Sequence, residues 1–130
     1  MTGRLKVPLS PYLELLEVEI VEIKYPRAKL TLNWAEKLTN PMGTLHGGII
    51  ATMIDAVLGF VLLNKEDVQA IATVELKVNY FKAITEGTIV ATGEIVYQRG
   101  STAFGQTRIH QGKELIALGS ATYKLSKKNC

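Results

Sequence analysis

Residues 40–63, NPMGTLHGGIIATMIDAVLGFVLL, decide the fold of this chain. Behind the paired glycines Gly47 and Gly48 the stretch is almost entirely apolar, and Asp55 is the one charged residue before Asn64. The pattern predicts a long helix over residues 48–63. Because its apolar residues cover nearly the whole circumference, we expect this helix to be buried on all sides, at the centre of the domain.

Outside this helix, most of the sequence alternates between apolar and polar residues, which is typical of half-buried strands. Residues 9–16, LSPYLELL, predict a short helix with Ser10 as its cap and Pro11 at its first position. Residues 35–45 predict a loop. The predicted strands are EVEIVEIKY (17–25), AKLTLNW (28–34), AIATVELKVNYF (70–81), GTIVATGEIVYQ (87–98), TAFGQTRIHQ (102–111) and ELIALGSATYKL (114–125).

For two of these strands the sequence also predicts how the side chains alternate. In the first, the alternation slips near Val21. In the strand over residues 70–81, the alternation places two sets of side chains on opposite faces, Val74, Leu76, Val78 and Tyr80 on one and Thr73, Glu75, Lys77 and Asn79 on the other.

The order of elements predicts the fold class. About six strands follow one another mostly as hairpins, and a sheet with a single central helix must curl around that helix to bury it. We therefore predict one α+β domain over residues 1–130, an antiparallel sheet wrapped around a long helix, which is the hotdog arrangement. The length of 130 residues fits a single domain.

Composition excludes several classes of protein. Apolar residues make up 47% and charged residues 21%, and the net charge of +3 is spread along the chain, with a small cluster at Lys124, Lys127 and Lys128. Aromatic and basic residues do not interleave as nucleic-acid binding requires. The apolar run is too short to span a bilayer, and the N-terminus lacks a signal-peptide pattern. We expect a cytoplasmic protein with neither nucleic acid nor membrane as partner.

The cysteine and histidine content points away from metals and disulfides. Cys130 is the single cysteine and occupies the last position, so it has no partner within the chain. No Cys/His spacing typical of a metal site occurs. We expect no metal and no cofactor.

Asp55 is the first candidate for chemistry. An ionised carboxylate buried without partners costs several kcal/mol or more, so it should be paired, protonated or functional. Alternatively, Asp55 lies on a narrow exposed stripe of the helix. Its neighbours at helical spacing are small, namely Ala51, Thr52, Ala56 and Gly59, which suggests that a ligand or another backbone comes close.

The helix start is the second candidate. Two glycines there leave backbone N–H groups unobstructed at the positive end of the helix dipole, where they can stabilise a carbonyl oxygen that gains negative charge. A Gly-Gly pair before a helix is often only a turn, and His46 alone is more often structural than catalytic. No Lys-Ser/Thr follows, so this is not a phosphate-binding loop.

Together these residues form a more specific pattern, N-x2-G-x2-H-G-G-x6-D, made by Asn40, Gly43, His46, Gly47, Gly48 and Asp55. The pattern resembles that of the hotdog-fold acyl-CoA thioesterases, in particular the branch typified by phenylacetyl-CoA thioesterases. PYLELLEVEIVEI, TVELKVNYFKA and RGSTAFGQTRI…GKELIALGSATY are also similar to segments of that family, so the resemblance covers nearly the whole chain.

The resemblance implies roles for individual residues. It implies that the Gly47 N–H polarises the thioester carbonyl, and that Asp55 acts as general base or nucleophile. Asn40 and His46 match residues that orient the thioester and support the loop, and Thr73 matches one that helps to place the water. The resemblance also implies a coenzyme-binding role for Gly48, Lys82, Arg99, Gly100 and Ser101, with CoA entering only as part of the substrate. Alternatively, Arg99, Gly100 and Ser101 are simply a hairpin turn, and Lys82 is a solvated surface residue.

The spacing of Gly47 and Asp55 predicts an assembly. Eight residues separate them on one helix, about 12 Å along its axis, so both cannot touch one thioester carbon. A two-fold partner whose helix runs antiparallel would bring its Asp55 beside the first Gly47. We therefore expect a homodimer with two sites between subunits, which agrees with the dimers and common tetramers, as dimers of dimers, that the resemblance implies.

The predicted activity is hydrolysis of aryl or medium-chain acyl-CoA thioesters. Apolar residues such as Ile50, Met53, Ile54 and Trp34 are the candidates for lining the acyl pocket. One alternative is a hotdog enoyl-CoA hydratase or dehydratase, which needs a His and an acid acting at the α and β carbons of its substrate. A second alternative is a non-catalytic acyl-CoA-binding module, which has no need of Asp55.

Overall fold

The computed structural model describes residues 9–127, so Lys128 and Cys130 lie outside the described residues. Two α-helices, one short 3-10 helix and six strands make up this part. In chain order they are α1 (Pro11–Leu16), β1 (Glu19–Lys24), β2 (Arg27–Asn33), the 3-10 helix (Glu36–Leu38), α2 (Gly47–Leu63), β3 (Val68–Tyr80), β4 (Thr88–Arg99), β5 (Thr102–Gln111) and β6 (Glu114–Lys127).

The strands form one antiparallel sheet in the order β1-β2-β4-β5-β6-β3. Helix α2 contacts all six strands, so the sheet curls around it as the sequence predicts. The α+β fold class and the wrapped central helix are confirmed. Helix α2 begins one residue earlier than predicted, at Gly47, and the predicted loop before it contains the 3-10 helix.

The short elements follow their predicted sequence signals. Ser10 caps α1, since its side chain accepts a hydrogen bond from the Leu13 N–H, and Pro11 is the first helical residue. The pairing of β1 with β2 shifts between Ile20 and Glu22, which confirms the predicted slip near Val21 as a β-bulge.

Three glycines bring the sheet close to α2. A Cβ on Gly93 would meet Val57 Cγ1 at 2.7 Å, one on Gly105 would meet Leu58 Cδ2 at 2.6 Å, and one on Gly119 would meet Ile54 Cδ1 at 2.6 Å. These glycines lie on the neighbouring strands β4, β5 and β6, so only residues without a side chain fit there.

The expectation that α2 is buried on all sides is wrong. Ten of its residues are buried against the sheet, from Ile49 to Leu62. A stripe on the opposite side stays partly exposed and consists of Ala51, Thr52, Asp55, Ala56 and Leu63. The sheet of one chain is not wide enough to close around the helix, so the exposed-stripe alternative for Asp55 holds for the single chain.

The predicted faces of β3 are also wrong at one residue. Thr73 pairs with Tyr123 and Leu76 pairs with Ala121, and the register shifts between Thr73 and Glu75. Tyr123 and Ala121 are both buried and point to the same side of β6. This bulge therefore places Thr73 on the same face as Leu76, toward α2, instead of on the opposite face. The regular alternation of side chains along a strand does not predict where an extra residue will form a bulge.

Within residues 9–127, no helix is long and apolar enough to cross a membrane.

Because the sheet lies so close to α2, we expect an alanine at position 119 to destabilise the protein. An alanine in a strand is normally favoured over glycine, but here its Cβ would meet Ile54 side-chain carbons at 2.6 and 2.7 Å and the Lys77 carbonyl oxygen at 2.8 Å. We expect Gly119→Ala to lower the free energy of unfolding by about 1–3 kcal/mol. Urea denaturation measures this, with the neighbouring Ser120→Ala as control. Equal stability of Gly119→Ala and wild type would show that the sheet can move away from α2.

Candidate active site

Asp55 is held by two hydroxyl groups from the sheet. Thr73 Oγ1 donates a hydrogen bond of 2.9 Å to Asp55 Oδ1, and Tyr123 Oη donates one of 2.8 Å to the same oxygen. Asp55 Oδ2 has no donor among residues 9–127. One oxygen of the carboxylate is therefore fixed by the protein, while the other remains able to bind water or substrate.

The bulge in β3 makes the Thr73 contact possible. It turns the Thr73 side chain toward α2, where the hydroxyl reaches the Asp55 carboxylate. A β-bulge re-aims one side chain without changing the rest of the strand, and bulges are frequent next to active sites. The sequence-predicted pair of Asp55 and Thr73 is thus brought together, by a feature that the sequence pattern does not indicate.

A groove of about 330 Å³ opens beside the Asp55 carboxylate. Thr52 and Thr73 are its polar neighbours at this end, and the rest is mainly apolar. The apolar walls come from α1, α2 and β3, and consist of Leu13, Ala56, Gly59, Phe60, Leu63 and Ile71. The small residues of α2 leave this space open, as the small-residue stripe predicts.

Tyr12 of α1 borders the same groove. Its hydroxyl lies 3.0 Å from Thr52 Oγ1, and Thr52 Oγ1 in turn donates to the Gly48 carbonyl oxygen at 2.9 Å. Since the Thr52 proton is used in that bond, Tyr12 is the donor to Thr52. Helix α1 is thereby fixed across the groove, next to the predicted catalytic carboxylate.

At the start of α2, His46 acts as the N-cap. Its Nδ1 accepts a hydrogen bond of 3.0 Å from the Gly48 N–H, so the two glycine N–H groups are not both free as expected. The Gly47 N–H has no acceptor among the described residues, as befits the first residue of a helix. Of the two candidates, only the Gly47 N–H is available to an oxyanion.

The loop before α2 is organised by Asn40. Its Oδ1 accepts hydrogen bonds from the N–H groups of Met42 and Thr44, at 2.9 and 3.1 Å, and its Nδ2 donates to Thr44 Oγ1 at 2.6 Å. Gly43 has a φ of 83°, a left-handed conformation that favours glycine. These contacts hold the loop together, whereas the role of Asn40 in orienting the thioester stays a prediction.

A second groove, of about 300 Å³, borders Gly47. Tyr80 lies over Gly47, since its hydroxyl donates to the Gly47 carbonyl oxygen at 2.8 Å. The other lining residues come from the loop, α2 and the segment after β3, and include Leu45, Ile50, Phe81, Lys82 and Ile84. The two grooves lie at different positions along α2, and both border the edge strand β3.

The predicted coenzyme residues divide between the two ends of α2. Lys82 borders the Gly47 groove, and its Nζ lies 2.7 Å from Glu114 Oε1. Arg99 ends β4, and Gly100 and Ser101 form the turn before β5. The adjacent Gln98 contacts Lys65, just beyond the end of α2. Since α2 is about 25 Å long, one chain does not bring Lys82 and this turn together.

The predicted acyl-pocket lining is wrong in part. Met53 and Ile54 are fully buried against the sheet and line neither groove, and Trp34 lines neither groove as well. Ile50 borders the Gly47 groove. The sequence correctly places Met53 and Ile54 on α2. Because this helix is apolar on most sides, its sequence does not indicate which side faces the sheet, and the tertiary fold decides this.

Sequence reasoning missed two tyrosines, Tyr123 at Asp55 and Tyr80 at Gly47. A signal existed for Tyr123, because a tyrosine in an otherwise aliphatic inward face of a strand needs a partner for its hydroxyl. Burial raises the pKa of the Tyr123 phenol, and the charge of Asp55 and their hydrogen bond raise it further. Tyr123 therefore stays protonated and donates its proton to the carboxylate.

The site contains the Asp55 carboxylate beside an apolar groove. The free Gly47 N–H lies at the start of the same helix. A family model described as the thioesterase superfamily matches residues 42–117, which contain both groups. The chain belongs to the thioesterase superfamily. The matched residues include all of α2 with the loop residues just before it, and the strands from β3 to the beginning of β6.

Three relatives are similar to this chain, and the names of the first two specify an activity. Acyl-coenzyme A thioesterase 13 of Mus musculus is 35% identical over 94 residues, 69% of this chain and 66% of that protein. The 1,4-dihydroxy-2-naphthoyl-CoA hydrolase of Listeria monocytogenes is 25% identical over 118 residues, 88% of this chain and 95% of that protein. A protein of Saccharolobus solfataricus is 32% identical over 87 residues, and the chain spans only 61% of its length.

Solved structures share the fold. A conserved protein of Pseudomonas aeruginosa has a TM-score of 0.86 and 26% identity, with 91% of this chain and 95% of that chain covered. The PaaI protein of Escherichia coli, from the phenylacetic acid degradation operon, has a TM-score of 0.83 and 18% identity, with 90% and 85% covered. The six-stranded sheet around one helix is therefore a fold that these proteins share with this chain.

The cap at the start of α2 allows a test of the structural role of His46. His46→Ala removes the acceptor for the Gly48 N–H, and we expect the free energy of unfolding to fall by about 1 kcal/mol. His46→Asn should restore most of this loss, because asparagine is a good N-cap. Urea midpoints at one fixed protein concentration measure the effect. Equal midpoints for the alanine and asparagine variants would contradict the capping role.

Proposed function

We propose that this protein hydrolyses acyl-CoA thioesters, with aryl or medium-chain acyl groups, to the free acid and CoA. One observation carries the proposal, the Asp55 carboxylate that two neutral hydroxyl groups hold beside an apolar groove. A relative named acyl-coenzyme A thioesterase and another named a naphthoyl-CoA hydrolase support the class of substrate.

The chemistry needs a group that activates water and a group that stabilises the oxyanion. Asp55 takes a proton from water, which attacks the thioester carbonyl carbon. Alternatively, Asp55 attacks that carbon itself, and water then hydrolyses the resulting anhydride to release the acid and free Asp55. The Gly47 N–H donates to the carbonyl oxygen as it gains negative charge, and the helix dipole adds to this stabilisation. Collapse of the intermediate expels CoA as its thiolate.

The two groups meet only across a dimer interface in this proposal. β3 is an edge strand of 13 residues, and three of its large apolar side chains, with that of the adjoining Phe81, are exposed: Val74 by 65%, Leu76 by 38%, Tyr80 by 55% and Phe81 by 55%. A long exposed edge strand with apolar residues is a template for pairing with another strand. Antiparallel pairing of β3 with its two-fold copy would set the two α2 helices antiparallel.

This pairing would join the two grooves. Both grooves border β3, one toward Asp55 through Ile71 and Thr73 and the other toward Gly47 through Tyr80 and Phe81. In an antiparallel dimer, the Asp55 groove of one subunit faces the Gly47 groove of its partner. Each dimer then contains two complete sites.

The acyl group is proposed to occupy the groove beside Asp55. Leu13, Phe60, Leu63 and Ile71 form its apolar walls, and its volume of about 330 Å³ suits a phenyl ring or a medium chain. The coenzyme would lie toward Lys82 of the partner. The turn at Arg99, Gly100 and Ser101 would approach the same region, because the antiparallel helices bring opposite ends together.

The decisive experiment measures free thiol release from phenylacetyl-CoA and hexanoyl-CoA. Asp55→Asn keeps the size of the side chain but removes the base, so we expect kcat to fall by on the order of 10²-fold or more with little change in stability. Near-normal turnover by this variant would end the assignment. Hydration of an enoyl-CoA without thiol release would favour the hydratase instead, and tight binding without either reaction would favour a binding module.

Gly47→Pro tests the oxyanion donor and the shared site. Proline suits the first helical position, and His46 already has the extended conformation, φ −60° and ψ 135°, that a residue before proline prefers. The variant therefore removes the N–H and should preserve the helix. We expect kcat to fall by about 10²–10³-fold, whereas Gly47→Ala, which keeps the N–H, should fall much less.

Heterodimers of the two variants then decide the assembly. In a purified heterodimer of Asp55→Asn and Gly47→Pro subunits, one site carries both defects and the other carries neither, so about half of the wild-type activity should return. An active monomer, or a verified heterodimer without recovered activity, would contradict the shared site.

A further inference from the structure

Tyr123 is among the largest fully buried side chains of the protein and is 1% exposed. It lies on β6 between Thr73 of β3 and Ala103 of β5, on the face that points toward α2. The phenol ring passes through the core, and only its hydroxyl reaches a polar group. A buried tyrosine hydroxyl without a hydrogen-bond partner lowers the stability of the fold. The position of the partner therefore determines where the ring lies.

The partner is Asp55, through two of its oxygens. Tyr123 Oη lies 2.8 Å from the Asp55 backbone carbonyl oxygen and 2.8 Å from Oδ1. The hydroxyl has one proton, which these two acceptors share. The contact therefore joins β6 to α2 at Asp55 and fixes the rotation of the Asp55 side chain.

The consequences for the two carboxylate oxygens differ. Oδ1 accepts from both Tyr123 and Thr73, whereas Oδ2 has no donor within residues 9–127. Thr73 is exposed, but Tyr123 is not, so water does not replace the phenol if it is lost. Burial raises the pKa of Tyr123, as do the charge and hydrogen bond of Asp55, so the phenol does not exchange protons with substrate at neutral pH.

We propose that Tyr123 is the positioning residue of the hydrolytic site, which holds the Asp55 carboxylate so that Oδ2 alone is presented to water or to the thioester. This inference rests on the proposed role of Asp55. Tyr123 itself touches no substrate. Its effect is on the orientation of the base, and a carboxylate that can rotate away from the reacting atoms loses rate rather than affinity.

The test compares Tyr123→Phe with Thr107→Val. Thr107 is fully buried, and its hydroxyl donates to the carbonyl oxygen of Ile54, the residue next to Asp55 on α2, at 3.2 Å. Each variant thus removes one buried hydroxyl that bonds the same turn of α2, but only Tyr123 contacts the carboxylate. Thiol release from phenylacetyl-CoA and hexanoyl-CoA gives kcat and KM, and thermal unfolding gives stability.

We expect both variants to lower the melting temperature, but only Tyr123→Phe to lower kcat. Tyr123→Phe should reduce kcat by about 10- to 100-fold, the factor for loss of a hydrogen bond to a charged group, with KM changed by less than about threefold. Thr107→Val should keep kcat within about twofold of wild type. Equal loss of kcat in both variants, or normal kcat in Tyr123→Phe, overturns the inference.

A double variant separates this inference from the proposed function. If Tyr123 acts through the carboxylate, adding Tyr123→Phe to Asp55→Asn should cause little further loss of kcat, whereas a purely structural effect would multiply. Normal activity of Asp55→Asn would overturn the proposed function and this inference together. An inactive Asp55→Asn combined with a fully active Tyr123→Phe would overturn this inference only.

A measurement on the wild type covers the case in which Tyr123→Phe does not fold. The buried Tyr123 hydroxyl proton should give a slowly exchanging, downfield proton resonance, because it is bonded to a carboxylate away from water. It should move upfield in Asp55→Asn, whose amide oxygen is a weaker acceptor. A resonance unchanged by Asp55→Asn would contradict the contact with the carboxylate.

Discussion

Three glycines on neighbouring strands let the sheet lie closer to α2 than any Cβ would allow. Gly93, Gly105 and Gly119 face Val57, Leu58 and Ile54 of the helix. This close approach sets the distance between α2 and the whole sheet. At that distance the hydroxyl groups of Thr73 and Tyr123 reach Asp55 from β3 and β6. The packing of the core and the geometry of the site therefore have one common cause.

The electrostatics of the site follow from the nature of these donors. Asp55 forms no salt bridge with a residue in the described part of the chain, and neutral hydroxyl groups hold it instead. Neutral donors fix a carboxylate without placing a positive charge beside it, so no cation among the described residues balances the charge of Asp55.

The single chain leaves part of its apolar surface exposed. The edge strand β3 has exposed apolar side chains, and one stripe of α2 is not covered by the sheet. Exposed edges are normally protected by charges or by short strands, but β3 is 13 residues long. Both grooves border this strand. The features that make the isolated chain incomplete are therefore the same ones that the proposed shared site would use.

The sequence by itself determined the helices and strands and the candidate residues for chemistry. The apolar run with one carboxylate predicted the central helix, alternation predicted the six strands, and the N-x2-G-x2-H-G-G-x6-D pattern identified the candidate residues Asn40, His46, Gly47 and Asp55. These are local properties, because periodicity, capping and motif spacing are set by residues near one another in the chain.

Only the tertiary structure decided which side chains meet. The bulge in β3 turned Thr73 toward Asp55, and the pairing of β3 with β6 brought Tyr123 to the same carboxylate, 68 positions away in the sequence. The side of α2 that faces the sheet buried Met53 and Ile54, so that neither residue lines a groove. Strand register, bulges and helix rotation depend on packing between distant segments, and no local pattern of apolar and polar residues specifies them.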